Sequence, residues 1–297
     1  MKKDLLTLLD FSAEEIREIF MLTEKLKRER GRDTWRPLAG KSIGLIFAKS
    51  STRTRISFEV GVTELGGTPL YLDQSKMQVG RGESIPDTAR VLSRFLHGIV
   101  IRTFAQADVE GLASCGTIPV INALTDDYHP CQILADLYTM LEYSGHIEGT
   151  KLVFFGDGRS NIANSLINAA RLFDFELVIA APEAFRPEES RFGGRSNISW
   201  NPDAVDAARD ADYLYTDVWV SMGFEKERAE RMQIFTPYQV NAKVAANAKK
   251  EVKFLHCLPA HRGEEVTAEV MDAPMSIVFD EAENRLHVQK AVMARLF

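Results

Sequence analysis

Apolar residues recur along this chain as short continuous runs that alternate with stretches of one-turn period. Ile43 to Ala48 is an apolar run of strand length, and Ile56 to Leu65 after it reads as an amphipathic helix stopped by Gly66-Gly67. Ahead of both, Ser12 and Glu15 form a capping box for a helix over 12–29 that carries Ile16, Ile19, Phe20 and Leu26 on one face. An apolar segment at Thr68–Leu72 and a polar, glycine-bearing surface loop at Asp73–Glu83 come next. Ser84 then caps a helix that runs to about Leu96, with Pro86 in its first turn. Strands are expected at Ile99–Ile101 and Pro119–Asn122, with helices at Ala107–Ser114 and from Pro130 to near Gly145.

The second half repeats the scheme. A strand at Lys151–Phe155, a tight turn at Gly156-Asp157-Gly158, a helix at Asn161–Phe173 and a strand at Leu177–Ala181 are predicted. Beyond a polar connection from Pro182 to Ser196, the pattern predicts strands at Ile198–Trp200, Tyr213–Thr216, Val252–Leu255 and Ile277–Phe279. It also predicts helices at Pro202–Arg209 and Pro237–Asn247 and an amphipathic terminal helix over Glu281–Phe297. Alternation at these lengths is that of right-handed βαβ units. The fold class expected is α/β, with two domains, each a parallel β-sheet flanked by helices. The boundary falls within Ser144–Thr150, giving 1–145 and 146–282.

A chain of 297 residues suits one large domain or two of ordinary size. With 45% hydrophobic and 26% charged residues it has ample core, and no apolar run reaches membrane-spanning length. The net charge of −6, without a basic block, argues against nucleic acid and membrane as partners. The N-terminal segment lacks a signal-peptide pattern, so the expected location is cytoplasmic. Three cysteines, Cys115, Cys131 and Cys257, are odd in number and widely spaced, which disfavours a disulfide framework or structural zinc.

On this acidic background, Ser51-Thr52-Arg53-Thr54-Arg55 stands out at a strand-to-helix corner, with Lys49 close by. Hydroxyls, guanidiniums and the free amides of a helix start suit a phosphate group. Arg102 ends a buried strand and needs an anion there. His129 and Gln132, one turn apart, supply further donors for a polarised carbonyl oxygen. Gly156-x-Gly158 hints at a dinucleotide fold, but Asn161 occupies the third glycine position and no acidic residue ends the next strand. Cys257 could be a nucleophile or, with His256 and His261, a metal ligand. Neighbours on extended chain point to opposite faces, however, and a fourth ligand is lacking.

Taken together, Phe47–Arg55 (FAKSSTRTR), Gln78–Ser84 (QVGRGES), Asp87–Arg94, His129–Gln132 (HPCQ), Asp217–Gly223 (DVWVSMG), His256–Val266 (HCLPAHRGEEV) and Glu281–Arg285 resemble the aspartate/ornithine carbamoyltransferase family, in its ornithine branch. The resemblance implies transfer of a carbamoyl group from carbamoyl phosphate to L-ornithine, giving citrulline and phosphate, without cofactor or metal. It implies that the terminal helix 283–297 returns to the first domain, which would bind carbamoyl phosphate while 146–282 binds ornithine. Matched to the family, Ser51, Thr52, Arg53, Thr54, Gln78, Arg102, His129, Gln132, Cys257, Leu258 and Arg285 would contact carbamoyl phosphate. Leu124, Asn161, Asp217, Ser221 and Met222 would contact ornithine. Arg53, Arg102, His129 and Cys257 would carry the chemistry, and Gln78 would reach a neighbour's site in a homotrimer. Rival expectations are a carbamoyltransferase for putrescine, N-acylornithine or aspartate, a non-catalytic anion-binding protein, and a dehydrogenase.

Overall fold

The computed structural model describes residues 2–32, 34–77, 82–192, 194–220 and 227–297. The chain divides into two compact units. Met1–Tyr138 with Glu283–Phe297 form the first, and Thr139–Ala282 form the second.

The first unit holds a four-stranded parallel sheet in the order β2-β1-β3-β4. Its strands are β1 (Ser42–Phe47), β2 (Thr68–Asp73), β3 (Gly98–Arg102) and β4 (Val120–Leu124). The interior strands β1 and β3 are buried almost throughout, as continuous apolar runs in a parallel sheet should be. With them in this unit are α1 (Ala13–Arg28), α2 (Thr52–Glu64), α3 (Ile85–Phe95), α4 (Gln106–Cys115) and, as far as Tyr138, α5 (Pro130–Ser144). The capping box of Ser12 with Glu15 is present, and Ser84 caps α3 with Pro86 in the first turn. The C-terminal helix, Val278–Leu296, belongs to this unit from Glu283 onward. It packs on α2, where a Cβ at Gly61 would come within 2.9 Å of Met293.

The second unit holds a five-stranded parallel sheet in the order β7-β6-β5-β8-β9. These strands are β5 (Lys151–Phe155), β6 (Glu176–Ala180), β7 (Ile198–Asn201), β8 (Tyr213–Thr216) and β9 (Lys253–His256). Helix α6 (Asn161–Leu172) follows β5 and buries nine of its residues.

In both sheets the strand order reverses beside the first strand. The switch points fall between β1 and β3 and between β5 and β8. In open α/β sheets, ligand groups gather beyond the carboxyl ends of strands at such reversals.

Several local expectations need correction. The helix after β1 starts at Thr52 rather than at Ile56, with Ser51 as its N-cap, so Thr52–Arg55 form its first turn. Its buried side carries Thr54, Phe58, Gly61 and Val62, while Ile56 is 52% exposed. No strand forms at Ile277–Phe279. A single bridge joins Ser276 to Phe254, and the helix begins at Val278 with Phe279 70% exposed. In place of one helix over Pro237–Asn247 there is a helical turn at Thr236–Tyr238, a bridge at Val240 and one turn at Ala242–Ala245. A regular helix comes earlier, at Arg228–Phe235.

Candidate active site

In the first unit the polar groups collect at the switch point. Phe47 and Arg102 pair in register at the ends of β1 and β3, and the Ala48 amide donates to the Arg102 carbonyl at 2.8 Å. The end of β3 is thereby fixed beside the start of the STRTR segment. Ser51 is the N-cap of α2, extended at φ −161°, and its Oγ accepts from the Thr54 amide at 3.3 Å. The first-turn amides of a helix lack intrahelical acceptors, so this corner presents N–H groups and the positive end of the helix dipole.

The three cations of the segment have different fates. Arg55 donates to Glu59 at 2.9 Å and lies over the Tyr71 ring. Lys49 is buried, hydrogen-bonded to Asp126 and placed over Phe104. Arg53 is exposed, with no protein partner among the described residues. The local charge that pointed to an anion therefore narrows to Arg53 and the helix start. Lys49 instead ties the β1–α2 corner to the loop that precedes His129.

Thr54, next to Arg53 in the chain, joins a buried polar chain. Arg285, from the C-terminal helix, donates through Nη2 to Thr54 Oγ1 at 3.3 Å and through Nη1 to Gln132 Oε1 at 2.6 Å. Gln132 Nε2 in turn donates to Asp136 Oδ1 at 2.8 Å. Arg102 and His129 are buried in the same unit. Burial, then the guanidiniums of Arg285 and Arg102, hold the His129 imidazole well below its ordinary range. It is thus a neutral ring able to donate one hydrogen bond at neutral pH. Cys131 is inert: its thiol is pushed up to about 12 by burial and donates to the Asn122 carbonyl. Leu124 ends β4, opposite Arg102 across a register shift.

In the second unit, Asn161 opens α6, whose N-cap Ser160 accepts from the Ala163 amide. Asp217 follows β8 directly, at the other side of that sheet's switch point. Its Oδ1 accepts from the Val218 amide at 2.7 Å and from the Cys257 thiol at 3.0 Å. Cys257 and Leu258 follow β9. His256 points the other way: it is buried, its Nδ1 accepts from the Leu258 amide at 2.9 Å and its Nε2 donates to Glu265 at 3.1 Å. These bonds fix the tautomer and the course of the His256–Leu258 segment, with Leu258 at φ 56°. Burial raises the Glu265 pKa, but the hydrogen bonds from His256 and the His261 amide outweigh it and hold the carboxyl below its ordinary range.

Ligand atoms of Asp217, His256 and Cys257 lie within 4.8 Å of one another, as do those of His261, Glu264 and Glu265. In the first group both His256 nitrogens are already engaged, which leaves no lone pair for a metal. In the second, Glu264 is bound by Arg228. The glycine turn after β5 also has a local explanation. A Cβ at Gly158 would stand 2.6 Å from the Phe185 carbonyl, so the glycine admits the chain's own 183–187 segment. Asp157 beside it accepts from both Nη1 and Nη2 of buried Arg231 at 3.1 Å, and Nη1 also donates to the Trp219 carbonyl.

Of the sequence-predicted residues, Ser51, Thr52, Arg53, Thr54, Arg102, Leu124, His129, Gln132 and Arg285 lie in the first unit. Asn161, Asp217, Cys257 and Leu258 lie in the second. Gln78, Ser221 and Met222 lie outside the described residues. Sequence reasoning passed over Asp136, Glu265 and Arg231. Asp136 is a single acid inside the apolar run Ile133–Leu137, and Glu265 lies within the quoted His256–Val266 motif, but neither pattern assigns a partner.

Residues 3–142 match the sequence family described as aspartate/ornithine carbamoyltransferase, carbamoyl-P binding domain, and residues 148–296 match its Asp/Orn binding domain. The chain is 50% identical over 300 residues to an ornithine carbamoyltransferase of Syntrophus aciditrophicus, covering 99% of each. It is 50% identical over 304 residues to one of Thermococcus kodakarensis, covering 98% of this chain and 95% of that protein. Among solved structures, the ornithine carbamoyltransferase from Pyrococcus furiosus superposes with a TM-score of 0.94 at 48% identity, covering 99% of this chain and 96% of the other.

Proposed function

Because this chain belongs to the aspartate/ornithine carbamoyltransferase family, we propose that it transfers the carbamoyl group of carbamoyl phosphate to the side-chain amine of L-ornithine, giving L-citrulline and phosphate. The observation that carries this reading is the buried chain Thr54–Arg285–Gln132, which gathers polar side chains from three helices at the capped start of α2.

Carbamoyl phosphate already bears a good leaving group, so the reaction needs positioning and charge stabilisation rather than a covalent enzyme intermediate. Arg53 and the first-turn amides of α2 take the phosphate oxygens. Arg102, neutral His129 and Thr54 polarise the carbonyl oxygen, and Gln132 and Arg285 hold the carbamoyl end. The amine nitrogen attacks the carbonyl carbon, the carbon–oxygen bond to phosphate breaks, phosphate leaves with the electron pair, and the amine loses a proton. An ornithine side-chain amine resembles that of lysine, whose ordinary pKa is about 10.4, so the neutral form must be selected or made. Asp217, paired with Cys257, receives the amino-acid end together with Asn161, Leu124, Ser221 and Met222.

The first unit with the returning helix is the carbamoyl-phosphate-binding domain in this proposal, and the second is the ornithine-binding domain. The protein works as a homotrimer in which Gln78 completes a neighbour's site. The exposed apolar side chains Ile56, Leu70, Tyr71, Val91 and Phe95 of the first unit support self-association. The place of action is the cytoplasm, in arginine synthesis. The cysteines are free, as in a reducing compartment, and no described helix is long and apolar enough to cross a membrane. The test is citrulline-type product formation from carbamoyl phosphate across ornithine, putrescine, N-acetylornithine and aspartate. Ornithine should be preferred by kcat/KM, and preference for another acceptor would replace the proposed substrate.

A further inference from the structure

We propose that Asp136 is a positioning residue that fixes which end of the Gln132 amide faces the anion site, and so makes the site select a carbamoyl group over its methyl isostere. The inference rests on the carbamoyl-phosphate reading above.

Asp136 is 0% exposed, in the middle of α5, between buried Ala135 and Leu137. A carboxylate there is costly to bury, and a helix core position does not need one. It lies one turn after Gln132 and accepts from Gln132 Nε2 at 2.8 Å. On the other side, Arg285 Nη1 donates to Gln132 Oε1 at 2.6 Å. A carboxylate accepts and a guanidinium only donates, so the amide between them has one allowed orientation. Turned over, it would set oxygen against carboxylate and N–H against guanidinium. The end held by Arg285 is the one shared with Thr54, in the first turn of α2. Gln132 therefore presents its acceptor oxygen to the cradle side.

An acceptor there discriminates by chemistry. Carbamoyl phosphate carries an NH2 group that can donate to Oε1, whereas acetyl phosphate has a methyl in the same place. Arg285 alone would hold Oε1 only by attraction. Asp136 adds a second constraint from the opposite side, which is why its effect should appear in discrimination rather than in phosphate binding.

The experiment compares KM for carbamoyl phosphate, Ki for acetyl phosphate and Ki for inorganic phosphate in the intact enzyme. Asp136→Asn keeps the shape but can donate as well as accept, so the position 136 side no longer opposes the turned-over amide and only Arg285 still does. Loss of one oriented hydrogen bond should narrow the carbamoyl-to-acetyl preference by about tenfold, with phosphate affinity held. Gln132→Met should narrow it to a similar extent, and adding Asp136→Asn to it should change nothing further. An unaltered preference in Asp136→Asn, or equal weakening of all three ligands, would overturn the proposal. If Gln132→Met also leaves the preference unaltered, the carbamoyl-phosphate reading falls with it. Narrowing by Gln132→Met alone rejects only Asp136. Should Asp136→Asn not fold, Asp136→Ser takes its place with the same outcomes.

Discussion

The Cys257 thiol donates to Asp217 Oδ1 at 3.0 Å, joining the segments that follow β9 and β8 through one sulfur–oxygen hydrogen bond. Asp217 also accepts from the Val218 amide, so its carboxylate is oriented before any ligand arrives. A hydrogen bond to a charged group contributes about 1.5–3 kcal/mol. Asp217→Asn should therefore raise the ornithine KM by roughly 10–100-fold while leaving the carbamoyl phosphate KM within about twofold. Cys257→Ala removes a neutral donor to that carboxylate and should have a smaller effect, about five- to tenfold. Steady-state kinetics with each substrate varied in turn separates these outcomes.

The two arginines of the STRTR segment should behave differently. Arg53 has no protein partner among the described residues, whereas Arg55 is held by Glu59 and Tyr71. Arg53→Ala should lower kcat/KM for carbamoyl phosphate by about 10²–10³-fold with little change in stability. Arg55→Ala should cost about 1 kcal/mol of stability, from a surface ion pair and an aromatic contact, with a much smaller kinetic effect. Equal kinetic losses would contradict the division.

Stability should weaken on the acid side through His129. Burial, then Arg285 and Arg102, depress its pKa below 6.5 in the folded protein. The unfolded chain therefore binds more protons between the ordinary and the depressed pKa, and stability falls as pH drops below about 6.5, by up to about 1.4 kcal/mol per pH unit. His287 is depressed too, chiefly by burial, and adds to the same slope. Urea denaturation of His129→Asn between about pH 7 and 5 should show a shallower slope than the unmodified protein.

Arg231 should matter for the second unit as a whole. Its side chain is buried against Phe185 and Phe235 and bonds Asp157 and the Trp219 carbonyl. Arg231→Gln leaves half-buried Asp157 without its charge partner, so a loss of about 1–3 kcal/mol is expected. Asp157→Asn in the same chain should recover part of it, as a double-mutant cycle in chemical denaturation would reveal.

The legible part of this molecule was whatever sequence spacing alone dictates. The capping box at Ser12–Glu15, the Ser84–Pro86 helix start and the buried strands β1, β3 and β5 follow from patterns a few residues long. Errors arose where a local pattern had two solutions. Ile277, Val278 and Phe279 read equally well as a strand or as a helix start, and only tertiary contact decides that Phe279 turns outward. Ile56 opens the apolar-periodic segment after β1, yet the buried side of α2 runs through Thr54, Phe58, Gly61 and Val62 and leaves it outside. Charge was the least legible property. Lys49 and Arg55 belong to a cationic cluster in the sequence, but their partners Asp126 and Glu59, one of them 77 residues away, take up both charges. Asp136 became meaningful only through Arg285, 153 residues along the chain from Gln132.

The central claim is that phosphate leaves only as ornithine attacks. Phosphate and citrulline should be measured together from carbamoyl phosphate, with and without ornithine, after correction for spontaneous decomposition. The account predicts equal amounts of both products with ornithine and no enzyme-dependent phosphate without it. Phosphate release that proceeds without ornithine, or no citrulline at all, would contradict it.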